Sequence, residues 1–259
     1  MRRFAVIAAA LIAAAIAGCS SSDTGGSASS ASPASSTGTI TVFAAASLTE
    51  SFTQIGKQFE AAHPGDTVKF SFGPSSGLAE QITSGAPADL FASAAPGNMD
   101  DVVSAGDASS PQNFAKNTME DATPPDNPGH VESVKDLADD SVKVALCQPQ
   151  VPCGEVAAEV FKNASITVKP VTLQPDVKSV LTQVETGNVD AGMIYVTDVQ
   201  AAGSKVHGVE ISAADNASTL YPIATITSSK HKSIAQAFVS YVLSPAGQQV
   251  LASAGFEAP

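Results

Sequence analysis

Four short stretches of this chain place small or polar residues where an apolar run gives way to a helical pattern: FAAASLTESF (43–52), FGPSSG (72–77), QPQVPCG (148–154) and QPDVK (174–178). In the first, Ser47-Leu48-Thr49-Glu50 fits S-x-x-E, the capping box in which a serine hydroxyl and a glutamate satisfy two orphan backbone donors. The same junction presents free N–H groups and the positive end of a helix dipole, which suits an anion. Ser47 is thus a cap, a nucleophile or a ligand donor on these residues alone. The second stretch, Gly73-Pro74-Ser75-Ser76-Gly77, formally matches G-x-S-x-G, the nucleophile elbow of hydrolases. The third leaves the Cys153 amide near a helix start, although Pro149, Pro152 and Gly154 also read as ordinary turn chemistry. The fourth opens a helix with Pro175 and Asp176, a common start signal, and puts the Val177 amide in its first turn. Tyr195, in the apolar Met193-Ile194-Tyr195-Val196, is either a core tyrosine or one that turns its hydroxyl into a cleft.

The enzyme reading makes Ser75 a nucleophile, with Asp190 or Asp198 and then His207 or His231 in the chain order of a hydrolase triad. Three features of the sequence oppose it. Only one strand pattern precedes the strand–elbow–helix unit in the folded region, no HGGG-type oxyanion segment lies upstream, and both histidines fall in polar surroundings, SKVHGVE and SSKHKS. The four histidines and the cysteines lack zinc-like spacing, and neither a Walker A nor a G-x-G-x-x-G fingerprint occurs. The expectation is therefore no metal and no cofactor.

These residues need elements to position them, and hydrophobic periodicity supplies the pattern. Residues 39–45 read as a buried strand, and Leu48, Phe52, Ile55 and Phe59 follow at helical spacing. A strand at 67–72, a helix at 78–83, a strand at 88–94 and a helix through Met99, Val102 and Val103 complete three strand–helix units. Residues 107–132, rich in Pro, Asn, Asp and Gly, read as a crossing segment. The rhythm resumes with a strand at 143–146, a helix at 155–161, a strand at 168–173, a helix on Val177, Val180, Leu181 and Val184, and a strand at 191–196. A last strand at 220–227 and helices at 234–242 and 246–252 return to the first half. Such alternation makes a parallel or mixed α/β sheet. Ligands in such sheets sit where strand ends meet helix starts, so four such turns facing one cleft would make an anion site of neutral donors. Lys178 is the single cation in these turns, which disfavours an ion-pair clamp.

The N-terminus opens with Arg2 and Arg3 and an apolar run from Phe4 to Ala17, shorter than the ~20 residues needed to span a bilayer, and reads as a secretory signal. Ile16-Ala17-Gly18-Cys19 resembles a lipobox, which predicts a lipoprotein signal peptide at 1–18 and lipidation of Cys19; ordinary secretory cleavage is the alternative. Residues 19–38 are nearly all Ser, Ala, Gly, Thr and Pro and read as a disordered tether. The 259-residue chain carries 13 basic and 25 acidic residues. Loss of residues 1–18 removes two arginines and leaves a formal charge of −14, with no basic face for nucleic acid. Cys147 and Cys153, the even pair left in an exported chain, are expected to form a local disulfide, with two free thiols as the alternative.

TVFAAASLTESF, GAPADLFASA, VPCG, DVKSVLTQVETGNVDAGMIYVTD and LSPAGQQVL together resemble the molybdate-binding proteins of bacterial ABC importers, from about Thr39 to the C-terminus. The resemblance implies a two-lobed α/β type II periplasmic-binding-protein fold, each lobe a mixed sheet flanked by helices, with the ligand in the interlobe cleft. It implies lobe 1 at 39–117 and 221–259, lobe 2 at 118–220, and closure about segments near 117–124 and 212–222. Carried over by position, the oxyanion is held by the hydroxyls of Ser47, Ser75 and Tyr195 and the amides of Cys153 and Val177, with Ser76 beside Ser75 as the other serine. Cys153 stands where the resemblance leads one to expect alanine, and Asp121 interrupts an expected apolar return strand at 118–122. The implied function is capture of molybdate or tungstate by a monomeric, non-enzymatic lipoprotein, anchored to the outer face of the membrane through Cys19. Its partners would be a permease and its cytoplasmic ATPase. Sulfate or another tetrahedral oxyanion is the alternative ligand, and hydrolysis by Ser75 the lower one.

Overall fold

The computed structural model describes residues 37–259. The signal peptide expected at 1–18, Cys19 and the tether up to residue 36 lie outside the described residues. Nine strands and eight α-helices are formed among the described residues: β1 (Thr39–Ala45), α1 (Thr49–Ala62), β2 (Thr67–Gly73), α2 (Ser75–Thr83), β3 (Leu90–Ala92), α3 (Pro96–Ser104), β4 (Gln112–Thr123), β5 (Val144–Cys147), α4 (Pro152–Asn163), β6 (Thr172–Gln174), α5 (Val177–Glu185), β7 (Ala191–Tyr195), α6 (Val196–Ala202), β8 (His207–Val209), β9 (Ser218–Thr225), α7 (Lys232–Leu243) and α8 (Pro245–Ser253). None of these helices is long and apolar enough to cross a membrane.

The strands run in the order β2-β1-β3-β9-β4-β7-β5-β6, with β8 beside β4. At one end β2, β1 and β3 are parallel, and at the other β6, β5 and β7 are parallel. Between them β9 and β4 run antiparallel to their neighbours. β4 belongs to both ends: residues 112–118 pair with β9 and residues 119–122 with β7.

Strand alternation sorts the side chains of β1 into two layers. Ile40, Val42 and Ala44 join Phe52, Ile55 and Phe59 of α1 and Phe238 of α7, while Phe43 joins Leu78, Ile82, Met99 and Val102 of α2 and α3. Both faces are covered, as parallel strands require. Gly56 lets α1 settle on β2, because a Cβ there would meet the Phe70 ring at 2.7 Å. A separate core built mainly from Val and Ala joins residues 119–211. The chain is thus a two-lobed α/β fold.

Several expectations need correction. The segment at 107–132 is not merely a crossing loop, since it holds the twelve-residue β4. Its polar residues misled the pattern because Asn117, Asp121 and Thr123 are buried within the strand. Strands expected at 88–94 and 168–173 are only three residues long. Helix α6 and strand β8 had no clear periodic signal. Asp121 does not break β4; it pairs in register with Met193 and Val209.

Candidate functional site

Every strand that leads to one of the four turns ends at the same rim. β1 delivers a 3₁₀ turn (Ala46–Leu48) and α1, β2 delivers α2, β5 delivers α4, and β6 delivers α5. Ser47, Ser75, Cys153, Val177 and Tyr195 all line one cavity at that rim, about 20 Å³ in free volume. The space is small, so it suits a compact ligand rather than one of metabolite size. All five residues are buried. Ser76 is half-buried and does not line the cavity.

Ser47 is not a helix cap. It lies inside the 3₁₀ turn, whose N-cap is Ala45, while the N-cap of α1 is Leu48, and neither makes a side-chain cap bond. The Ser47 hydroxyl lies 2.9 Å from that of Tyr221, and Glu50 turns away to Lys178. The S-x-x-E spacing failed because the chain makes a 3₁₀ turn before α1, which moves the first helical residue past the serine. Among the described residues a capping box is formed instead at Ser133 and Asp136.

Ser75 is the first residue of α2, and its Oγ accepts from the Ala94 amide at 3.0 Å. That bond occupies a lone pair and leaves the hydroxyl proton free to donate. His207 and His231 are exposed, Asp190 accepts from the Lys143 amide, and Asp198 pairs with Lys178. Ser75 and both candidate acids are therefore engaged by other partners, and both candidate bases are exposed. Among the described residues, no cluster of His, Cys, Asp and Glu is arranged to hold a metal.

Cys153 and Val177 contribute backbone. Their N–H groups sit in the first turns of α4 and α5, where no carbonyl of the same helix can accept them. Cys153 is bonded to Cys147 through their sulfurs, with Cα atoms 5.8 Å apart, so the turn 148–152 is closed covalently above the end of β5. A Cβ on Gly154 would collide with the carbonyl of Gln148, so glycine is what lets α4 start this close to the strand. Asp176 lines the cavity but is engaged as the N-cap of α5, accepting from the Ser179 amide at 2.8 Å.

Tyr195 ends β7, is 1% exposed, and its hydroxyl has no hydrogen-bond partner. Burial holds its pKa well above the usual tyrosine value, so the hydroxyl keeps its proton. A buried polar group without a partner costs about 1–3 kcal/mol, a cost that an acceptor in the cavity would remove.

No lysine or arginine lines the cavity among the described residues. Lys178 lies one residue beyond Val177 and pairs with Glu50 of α1 at 2.7 Å and with Asp198 of α6 at 2.9 Å. Burial works against its charge, but Asp198 and Glu50 outweigh this and hold its ammonium above the usual lysine value. Burial raises the Asp198 carboxyl to about 6 although Lys178 opposes the shift. These charges tie α1, α5 and α6 together behind the cavity. Sequence reasoning missed the polar residues that stand behind Ser47, namely Tyr221, Asn117 and Thr197, because they lie 80 to 174 residues from the groups they bond.

What the cavity offers is a set of donors with helix N-termini around it and no cation. That is the chemistry for one small, fully ionised oxyanion. The chain is similar to the molybdate-binding protein ModA of Mycobacterium tuberculosis (strain ATCC 25618 / H37Rv), 39% identical over 254 residues that cover 98% of this chain and 97% of that protein. A substrate-binding domain assigned to a molybdenum ABC transporter of Clostridium difficile matches with a TM-score of 0.65 and 28% identity, over 85% of this chain and 99% of that one. The periplasmic molybdate-binding protein of Azotobacter vinelandii shares the fold, with a TM-score of 0.76 at 23% identity over 85% of this chain and 99% of that one. A family model described as bacterial extracellular solute-binding protein matches residues 40–257, and the chain belongs to that family.

Proposed function

We propose that this protein captures molybdate, and tungstate with it, in the cavity between its two lobes and delivers the anion to an ABC importer. The observation that carries the reading is the buried, unpartnered Tyr195 hydroxyl in a cavity where four helix starts converge without a cation. Similarity over nearly the whole length to a molybdate-binding protein supports the choice of anion. The hydroxyls of Ser47, Ser75 and Tyr195 and the amides of Cys153 and Val177 donate to the oxyanion. The protein binds and releases its ligand without chemistry, and it needs no cofactor.

The lobes divide at 39–117 with 221–259 and at 118–220. They close about the crossing strands β4 and β9, in the segments 117–124 and 212–222, and in doing so exclude water from the anion. The protein acts as a monomer on the outer face of the membrane, held by lipid on Cys19, and docks on a permease driven by a cytoplasmic ATPase.

Calorimetric titration of the protein with molybdate, tungstate and sulfate tests this reading. The expected result is tight binding of molybdate and tungstate and no heat with sulfate. Tyr195→Phe should weaken molybdate by about 10-fold, the worth of one hydrogen bond to a charged acceptor, while leaving the ligand-free protein as stable as before or more so. Binding of sulfate alone would change the ligand, and silence with all three anions would remove the function.

A further inference from the structure

The Ser47 hydroxyl can serve an anion only if its single proton points into the cavity, and the groups behind it determine whether it does. Tyr221 of β9 is fully buried, with its Oη 2.9 Å from Ser47 Oγ. Its ring is locked edge-on against Phe114, Phe256 and Tyr195, at centroid distances of 6.1, 5.3 and 6.3 Å. The hydroxyl is therefore fixed in place by packing on three sides. Behind it, the Asn117 side chain of β4 accepts from the Thr118 amide through Oδ1. Its Nδ2 donates to Thr197 Oγ1 at 2.9 Å and to Tyr221 Oη at 3.4 Å.

The Asn117 end of this chain has a direction. The Asn117 Nδ2 group has only protons to offer, so Tyr221 Oη accepts from it. Between Tyr221 Oη and Ser47 Oγ either hydroxyl can be the donor; when Tyr221 donates, the Ser47 proton is left for the cavity. We propose that Tyr221 is a positioning residue for anion capture, which acts by donating to Ser47 and so presenting that serine to the ligand as a donor. The relay starts on the two strands that cross between the lobes and reaches α6 through Thr197, so donor polarity in the cavity is set from the crossing region. The inference rests on the proposed capture of molybdate and adds a residue that does not touch the anion.

The test is a double-mutant cycle read by calorimetry with sodium molybdate, using the protein, Ser47→Ala, Tyr221→Phe and the double variant. Tyr221→Phe keeps the ring and its packing, and a thermal melt without ligand checks that the fold is retained. The expected result is an affinity about 5- to 10-fold weaker when Ser47 is present, and no further loss in the Ser47→Ala background. Asn117→Ala gives a second route, with a smaller loss that also vanishes without Ser47. Equal losses in both backgrounds would overturn the positioning role and leave molybdate capture standing. An unaltered protein that fails to bind molybdate would overturn the functional reading, and the relay with it.

Discussion

The half of the molecule built on β1, β2, β3 and β9 packs around phenylalanine, whereas the half built on β5, β6 and β7 packs around valine and alanine and closes its rim with a disulfide. In the first, Phe52 meets Phe238 at 6.1 Å and Phe114 at 5.6 Å, and Phe59 meets Phe238 at 5.3 Å. In the second, Val144, Val160, Val180 and Val184 are fully buried, and the Cys147–Cys153 bond holds the turn that precedes α4. Among the described residues a single aromatic contact, Tyr195 against Tyr221, joins the two halves, behind the cavity that Tyr195 lines. Both halves must hold helix N-termini still at the same rim. One does so with large rings whose geometry is self-limiting, and the other replaces that rigidity with a covalent loop because small side chains cannot supply it. They differ in charge as well. Among the described residues the two fully buried carboxylates, Asp121 and Asp198, both belong to the second half.

Removing a ring from the first half should have the largest effect. Phe52→Ala empties the centre of the aromatic cluster and should cost about 3–5 kcal/mol of stability in a denaturant titration. A Val→Ala change at Val160 should cost clearly less. If the two cost the same, the contrast between the cores is wrong.

Next in size is a pH effect confined to the second half. Burial, with Glu120 and Asp136 adding to it, raises the Asp121 carboxyl from 3.8 to about 8, and neither oxygen has a partner. The folded state therefore holds this proton more tightly than the unfolded state. The stability it contributes is complete below pH 4 and is lost as pH rises through 8. From pH 5 to pH 8 the loss should be roughly 3–4 kcal/mol. Asp121→Asn should flatten that slope in melts taken across the range, and an unchanged slope would assign the pH dependence elsewhere.

The smallest effect should come from the disulfide. Replacing both cysteines by serine opens a short loop and should cost about 2 kcal/mol. Hydrogen exchange should quicken at the amides of residues 148–154 and stay unchanged in β1 and α1. Equal quickening in both halves would mean that the bridge stabilises the whole fold rather than its own turn.

These contrasts also mark what the sequence could reveal. The β1–α1 unit and α5 were legible because their apolar residues keep one period and face one neighbour. β4 was not, since Asn117, Asp121 and Thr123 are polar residues on buried positions, and alternation assumes the opposite. α6 was hidden because the apolar run of β7 passes into it without a break. At the rim, the residues that line the cavity were found because strand-to-helix turns announce themselves locally. The groups that orient or brace them, Tyr221 behind Ser47 and Lys178 between Glu50 and Asp198, come from distant parts of the chain, and no local pattern links them.

The sharing of β4 between the two sheets bears on the order in which the molecule can assemble as it emerges N-terminus first. The second core is drawn from one uninterrupted stretch, residues 119–211, whereas the first needs residues 40–115 together with 221–256. β3 has no partner on its outer side until β9 arrives. The first three strands must therefore wait, with an open edge and uncovered phenylalanines, for the last forty or so residues. The later part of the chain can finish first. A chain with this layout carries its aggregation hazard in residues 39–117, the part of the first core that is made before the residues that cover it.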